Sequence, residues 1–223
     1  YKNGLKNIIF SSTAAAYGNP INNNSIKEDE SLKPLNPYGQ SKVNTENFLI
    51  ENKDRFNSII LRYFNVAGAD PDLRSGLISD EPTHLIKILS EVAVGKREKI
   101  FIYGDDYKTE DGTAIRDYIH VSDLADIHLE VAKYLMDTKI SNIFNCGYGK
   151  GYSVLEVINA ANKITSNKIK FEFDKKRLGD AEKLISNVDK IHQSINWKPK
   201  FDDLDFIIQT AIHWEKKIYE KNL

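Results

Sequence analysis

The chain has 223 residues, 41% hydrophobic and 28% charged, and its 31 Lys and Arg nearly balance 32 Asp and Glu for a net charge of −1. That composition describes an ordinary globular protein and excludes the disordered and fibrous classes. Without a basic excess no nucleic-acid partner is expected, and with no apolar run near the ~20 residues that cross a bilayer no membrane partner is expected either.

The first residues, Tyr1 to Asn7, carry no signal-peptide core, and the cytoplasm is the expected compartment. Leu5 to Phe10 reads as a short buried strand. Asn36-Pro37 opens a helix to about Lys53, with Pro37 in the first turn, where its missing N–H costs nothing. Ser58 to Phe64 is a second buried strand, and strand–helix–strand order implies parallel pairing. Gly68 to Glu81 reads as loop. A helix follows from about Pro82 to Val94 and stops at Gly95.

Ile100 to Tyr103 is a strand closed by Gly104, and Asp105 to Thr113 is a charged loop. Val121 to about Met136 is an amphipathic helix with Leu124, Ile127, Val131 and Leu135 on one side. Ile143 to Cys146 is another strand, in which the single cysteine reads as a buried small residue rather than a nucleophile. Ser153 N-caps a helix to about Thr165, with Glu156 at capping-box spacing. Lys168 to Phe173 alternates like a half-buried strand. A short helix, Val188 to Ser194, and a long one, Leu204 to about Tyr219, complete an α/β pattern.

Two features point to chemistry. Tyr38 and Lys42 stand four apart on the predicted helix and share a face. A phenol titrates near ~10, and an adjacent ammonium favours its phenolate, so such a pair can exchange a proton with a sugar hydroxyl. By itself the spacing is common and equally describes a surface pair. Ser11-Ser12-Thr13 follows a predicted strand, at the carboxyl end where open α/β sheets bind ligands, although it also suits a simple turn. The five histidines show no paired ligand spacing, and Asp105, Asp106, Glu110 and Asp111 read as a solvated acidic loop, so no metal is expected.

Ser11-Ser12-Thr13, Tyr17-Gly18, Pro37-Tyr38-Gly39-Gln40-Ser41-Lys42 and Arg62-Tyr63-Phe64-Asn65 together resemble the extended short-chain dehydrogenase/reductase family. Asn65-Val66-Ala67-Gly68-Ala69-Asp70-Pro71, Tyr103-Gly104-Asp105-Asp106-Tyr107 and Asp111 to Val121 are similar to its UDP-glucose 4-epimerase branch. The resemblance implies the C-terminal part of a Rossmann-type doubly wound parallel sheet plus a smaller mixed α/β sugar-binding domain. Residues 1–65 and about 118–150 would belong to the first, and about 66–117 and 151–223 to the second. It implies NAD as cofactor, a UDP-sugar as substrate and a homodimer.

Residue by residue, the resemblance makes Tyr38 the general base and acid. Lys42 would stabilise its phenolate and hold the nicotinamide ribose. Thr13 would contact the sugar 4′-hydroxyl, and Ser11 and Ser12 would lie against the cofactor. Asn65, His84, Leu85, Tyr103, Tyr118 and Val154 would contact the substrate. Arg116 and Arg177 would grip its diphosphate, a task that suits the bidentate guanidinium. Asp180 would accept from the uridine ribose, and Leu184 would stand at the sugar pocket where a smaller residue admits N-acetylated sugars. No glycine-rich G-x-x-G-x-x-G or G-x-G-x-x-G turn occurs in these residues, so this stretch alone is expected to hold NAD poorly and to be inactive alone. Ala14-Ala15-Ala16 after Thr13 supplies no titratable group, against a 4,6-dehydratase or a uronate decarboxylase. The remaining alternatives are a UDP-N-acetylglucosamine, pentose or uronate 4-epimerase, and a non-catalytic UDP-sugar-binding module.

Overall fold

In a computed structural model of the chain, residues 3–20, 25–165 and 168–220 are described; Tyr1 and Lys2 of the start discussed above lie outside them. The described elements are β1 (Asn7–Thr13), a 3-10 turn (Ala14–Ala16), α1 (Pro37–Glu51), β2 (Asn57–Tyr63), β3 (Asn65–Ala67), α2 (Leu85–Ala93), β4 (Ile100–Tyr103), β5 (Ile115–Arg116) and β6 (Tyr118–His120). They continue with α3 (Val121–Thr138), β7 (Asn142–Cys146), β8 (Tyr152–Ser153), α4 (Val154–Ile164), β9 (Phe171–Asp174), β10 (Lys183–Leu184), α5 (Asp189–Ser194) and α6 (Leu204–Glu220).

The first strand does not stop where its apolar residues stop. β1 pairs in parallel with β2 from Asn7 opposite Asn57 to Thr13 opposite Tyr63. The ladder therefore carries Ser11, Ser12 and Thr13 to the carboxyl edge of the sheet, three residues past the expected end at Phe10. β7 lies parallel on the other side of β2, giving the order β1-β2-β7 with α1 as the crossover. Ile59, Ile60 and Leu61 of the middle strand are all buried, as a strand covered on both faces requires. The parallel α/β fold expected from the sequence is the one observed.

Three smaller sheets went unforeseen. β3 runs parallel to β6, β4 runs parallel to β9, and β5 lies between β10 and β8. β3, β5, β6, β8 and β10 have only two or three residues each, too few for a period to show. Two expectations need correction. α2 starts at Leu85 rather than Pro82, with His84 as an extended N-cap. Its buried face begins at Ile86, while Glu81, Thr83 and His84 are exposed and gain nothing from a helical turn. β9 is exposed along its whole length rather than half-buried, Phe173 being 47% accessible, because it edges a two-stranded sheet.

Two large apolar cores and a smaller third cluster result among the described residues. One large core joins Ile59, Leu61 and Phe144 of the parallel sheet to α3 and to Ile191, Ile195 and Trp197. The other large core joins α2, α4 and α6 to Ile100, Ile102 and Tyr118. Cys146 lies fully buried in the first, and burial pushes its thiol far up, as a structural rather than reactive cysteine requires.

His120 is buried and caps α3. Its Nδ1 accepts from Ser122 N at 3.1 Å, its Nε2 lies 3.2 Å from Thr210 Oγ1, and its ring lies beside the stacked rings of Phe201 and Phe206. Accepting at Nδ1 requires the tautomer with its proton on Nε2. Burial lowers its pKa below the ordinary value of 6.5. The unfolded chain therefore takes up this proton first, so the contribution is full above about pH 6.5 and is lost as pH falls below it. A melting-temperature drop from pH 7.5 to 5.5 is expected to shrink in His120→Asn, which caps without titrating. Equal slopes in the two proteins would remove His120 as the cause.

Candidate active site at the carboxyl edge of the parallel sheet

α1 begins with a side-chain cap, Asn36 Oδ1 accepting from Gly39 N at 2.8 Å, and with Pro37 in its first turn. Gly39 then lets the helix sit on the 3-10 turn, since a Cβ there would come within 2.7 Å of Ala15 O. This close approach sets the Tyr38–Lys42 face over the end of β1. Tyr38 is 56% exposed, and the Lys42 ammonium lies 5.6 Å from its ring centre. The same ammonium donates to Ser11 O at 3.0 Å and stands 5.2 Å from the Phe10 ring.

The three strand-end residues differ in what they offer. Thr13 Oγ1 accepts from Ala15 N at 3.1 Å, which holds the side chain at the mouth of the 3-10 turn. Ser12 is buried and turns its hydroxyl inward to Glu46. Ser11 Oγ lies 2.6 Å from Tyr63 Oη, which in turn lies 2.6 Å from His128 Nε2. Burial pushes the Tyr63 phenol up, so it stays a neutral link in that chain.

Beneath the site is a polar cluster that the sequence reading did not single out. Glu46, fully buried one turn beyond Lys42, takes Arg62 in a close ion pair at 2.6 Å. Arg62 Nη1 also donates to Tyr17 Oη and to Glu28 O, each at 2.9 Å. Burial disfavours the Arg62 cation, but the Glu46 hydrogen bonds more than restore it. The signal was available, since Tyr38, Lys42 and Glu46 repeat every four residues on one helical face.

A second group of expected residues gathers around β5 and β6. Asn65, His84, Leu85 and Tyr118 line one cavity of about 500 Å³, with Trp214 and the buried Lys87–Glu215 pair on its other walls. The Arg177 guanidinium lies 3.7 Å from the ring centre of Tyr103. Arg116 sits opposite Leu184 in the β5–β10 pairing, its Nη1 donating to Ile115 O at 2.9 Å. Asp180, in the turn after Gly179, is exposed. Tyr107, not singled out in the sequence, is buried with its hydroxyl unpartnered among the described residues; burial pushes its phenol up, and Asp180, Arg116, Lys176 and Asp106 are the charges that act on it. Leu184 packs against the small apolar cluster of Ala14, Tyr17, Ile26 and Phe64. Val154 stands apart, packing into the second core.

A parallel α/β sheet whose carboxyl edge carries a hydroxyl strand-end under an exposed Tyr–Lys pair defines an open-sheet α/β protein with its ligand site beyond the strand ends. Residues 1–147 match the NAD dependent epimerase/dehydratase family. The chain belongs to that family. It is 44% identical over 217 residues to the UDP-glucose 4-epimerase of Azospirillum brasilense, covering 96% of this chain and 62% of that protein. Its fold is similar to the UDP-glucose-4-epimerase of Stenotrophomonas maltophila solved with NAD and formylated UDP-arabinopyranose, with a TM-score of 0.93 at 32% identity over 98% of this chain and 66% of that one. It is also similar to the UDP-Glc/GlcNAc 4-epimerase of Campylobacter jejuni, with a TM-score of 0.78 at 46% identity over 97% of this chain and 66% of that one. The chain thus spans somewhat under two thirds of the length of the curated relatives it matches.

Proposed function

We propose that this chain carries the acid–base and sugar-holding part of an NAD-dependent UDP-hexose 4-epimerase acting on UDP-galactose and UDP-glucose. The observation that carries the reading is the exposed Tyr38–Lys42 pair at the Ser11 end of β1, with alanines at 14–16 where dehydration would need an acid and a base. The residues fit NAD in part: Lys42 spends one hydrogen on Ser11 O and keeps others for ribose hydroxyls. NAD, when bound, accepts and returns a hydride at the sugar C4′.

Tyr38 takes the 4′-hydroxyl proton and later gives it back, while Lys42 favours the phenolate between those events. Thr13 orients the reacting oxygen. Arg116, Arg177 and Asp180 hold the nucleotide, so the 4-keto sugar turns without leaving and is reduced on its other face. Ser11 would face the nicotinamide half of NAD, while Ser12, buried with its hydroxyl on Glu46, would support that strand end from behind. Residues 1–65 and about 118–150 make the cofactor side, and about 66–117 and 151–223 the sugar side, with α5 and Trp197 packing back onto the former.

The free, buried Cys146 suits the reducing cytoplasm. Exposed Phe48 on α1 and Leu129 on α3 suit a homodimer. The test is incubation of the full-length protein with NAD and UDP-galactose, with UDP-glucose read by a coupled dehydrogenase. Its accumulation supports the reading, and none with NAD bound removes this sugar pair.

A wider sugar range is the second reading. Leu184 is half-buried against the Ala14, Tyr17, Ile26 and Phe64 cluster, and on the UDP-sugar reading a tyrosine there would fill space an N-acetyl group needs. Leu184→Tyr is expected to cut kcat/KM for UDP-N-acetylglucosamine by about tenfold or more, against a smaller loss for UDP-galactose. Equal losses on the two sugars would end this idea.

A further inference from the structure

Asp117 lies between β5 and β6 and is fully buried. No cation pairs with it among the described residues. Its carboxylate instead accepts four donors from two separate segments. Tyr148 N reaches Oδ1 at 2.9 Å, and Gly149 N reaches Oδ2 at 2.9 Å. Ser186 reaches Oδ2 with its amide at 3.1 Å and with its hydroxyl at 2.5 Å. Gly147 leaves room for this, because a Cβ there would collide with Asp117 Oδ2 and Ser186 Oγ. Burial pushes the Asp117 carboxyl above the ordinary carboxylate range, with the Ser186 hydroxyl and the amides pulling it back.

The backbone of the same residue makes two further ties. Asp117 N donates to Leu184 O at 3.1 Å, and Asn65 N donates to Asp117 O at 2.9 Å. Its chain neighbours are Arg116 and Tyr118. One residue therefore contacts or adjoins Asn65, Arg116, Tyr118 and Leu184, four groups assigned above to the nucleotide sugar. A buried carboxylate is costly unless every acceptor site is used. Here the sites are used to lock the turn after β7 and the end of β10 onto β5.

We propose that Asp117 is the positioning residue of the nucleotide-sugar site, setting Arg116 on the diphosphate side and Leu184 on the sugar side at fixed separation. The inference rests on the UDP-sugar reading above. It predicts a defect in ground-state binding rather than in proton transfer, since Tyr38 and Lys42 hang on α1, which Asp117 does not touch through any of these bonds. Asp117→Asn keeps the shape of the side chain but turns an amide NH2 toward amide donors, losing charge-assisted bonds.

The experiment is UDP titration by calorimetry and steady-state epimerisation with the full-length protein. In Asp117→Asn the UDP Kd and the UDP-galactose KM are expected to rise about tenfold or more, and kcat to fall less than threefold. A folded Asp117→Asn with the UDP Kd unchanged, or with kcat reduced as far as kcat/KM at constant KM, overturns the assignment. Should Asp117→Asn fail to fold, Ser186→Ala decides, because it removes one donor and leaves the carboxylate. A severalfold rise in the UDP Kd supports the role, and an unchanged Kd overturns it. If the unaltered protein with NAD bound does not bind UDP at all, the UDP-sugar reading falls, and this assignment falls with it.

Discussion

Tyr38→Phe in the full-length protein is expected to lower kcat for UDP-galactose about 10²–10⁴-fold, the usual worth of a general acid–base. The ring survives the change, so the contact with Lys42, 5.6 Å from its centre, is kept and only the proton carrier is lost. UDP affinity should move little, because no nucleotide group is assigned to Tyr38. The measurement is coupled turnover beside UDP titration on the same preparation. A kcat within tenfold of the unaltered protein, with NAD bound in both, would show that another group moves the proton. Tyr63 would then be the next to test, since its hydroxyl stands 2.6 Å from Ser11 Oγ at the same strand end.

Glu46→Ala is expected to destabilise the fold by about 3–5 kcal/mol, because it strands the buried Arg62 cation. In a chain of this size that corresponds to a melting temperature lower by about 6–20 °C. Ser12 loses its acceptor as well, so the contact between α1 and β1 loosens one turn from Lys42. Replacing both partners, as Glu46→Leu with Arg62→Met, is expected to recover part of the loss, since two apolar groups need no mutual neutralisation. Recovery is partial because Arg62 also serves Tyr17 Oη and Glu28 O. Thermal denaturation of the two single variants and the double variant measures the coupling. Additive losses would mean that the pair does not act as a unit.

Long elements with a repeating apolar face were readable in advance. The parallel strands, α1, α3, α4 with its Ser153–Glu156 capping box and α6 all fall within a few residues of expectation. The ends were harder, because they depend on partners. β1 runs on through Ser11–Thr13 only because β2 is there to pair with it. β9 lost its expected half-burial because its sheet has two strands and no cover on that face.

The candidate site divides in the same way. Tyr38 and Lys42 could be placed on one helical face, and Thr13 near a strand end, because those positions follow from local pattern; their roles came from the family resemblance. Glu46, Tyr63, Tyr107 and Asp117 were not legible, because each matters through a residue remote in the chain: Arg62, Ser11, Asp180 and Ser186 respectively.

By itself the sequence determined the α/β class, the order of the long elements and the placing of Tyr38 and Lys42 on one helical face, since periodicity and side-chain type are local properties. Only the tertiary structure decided which strands end together, where Ser12 points, and that Asp117 ties Leu184 and Asn65 to Arg116. Those depend on burial and on pairing between distant segments. A polar group leaves water only when the fold supplies its partner, and no local pattern records which partner that is.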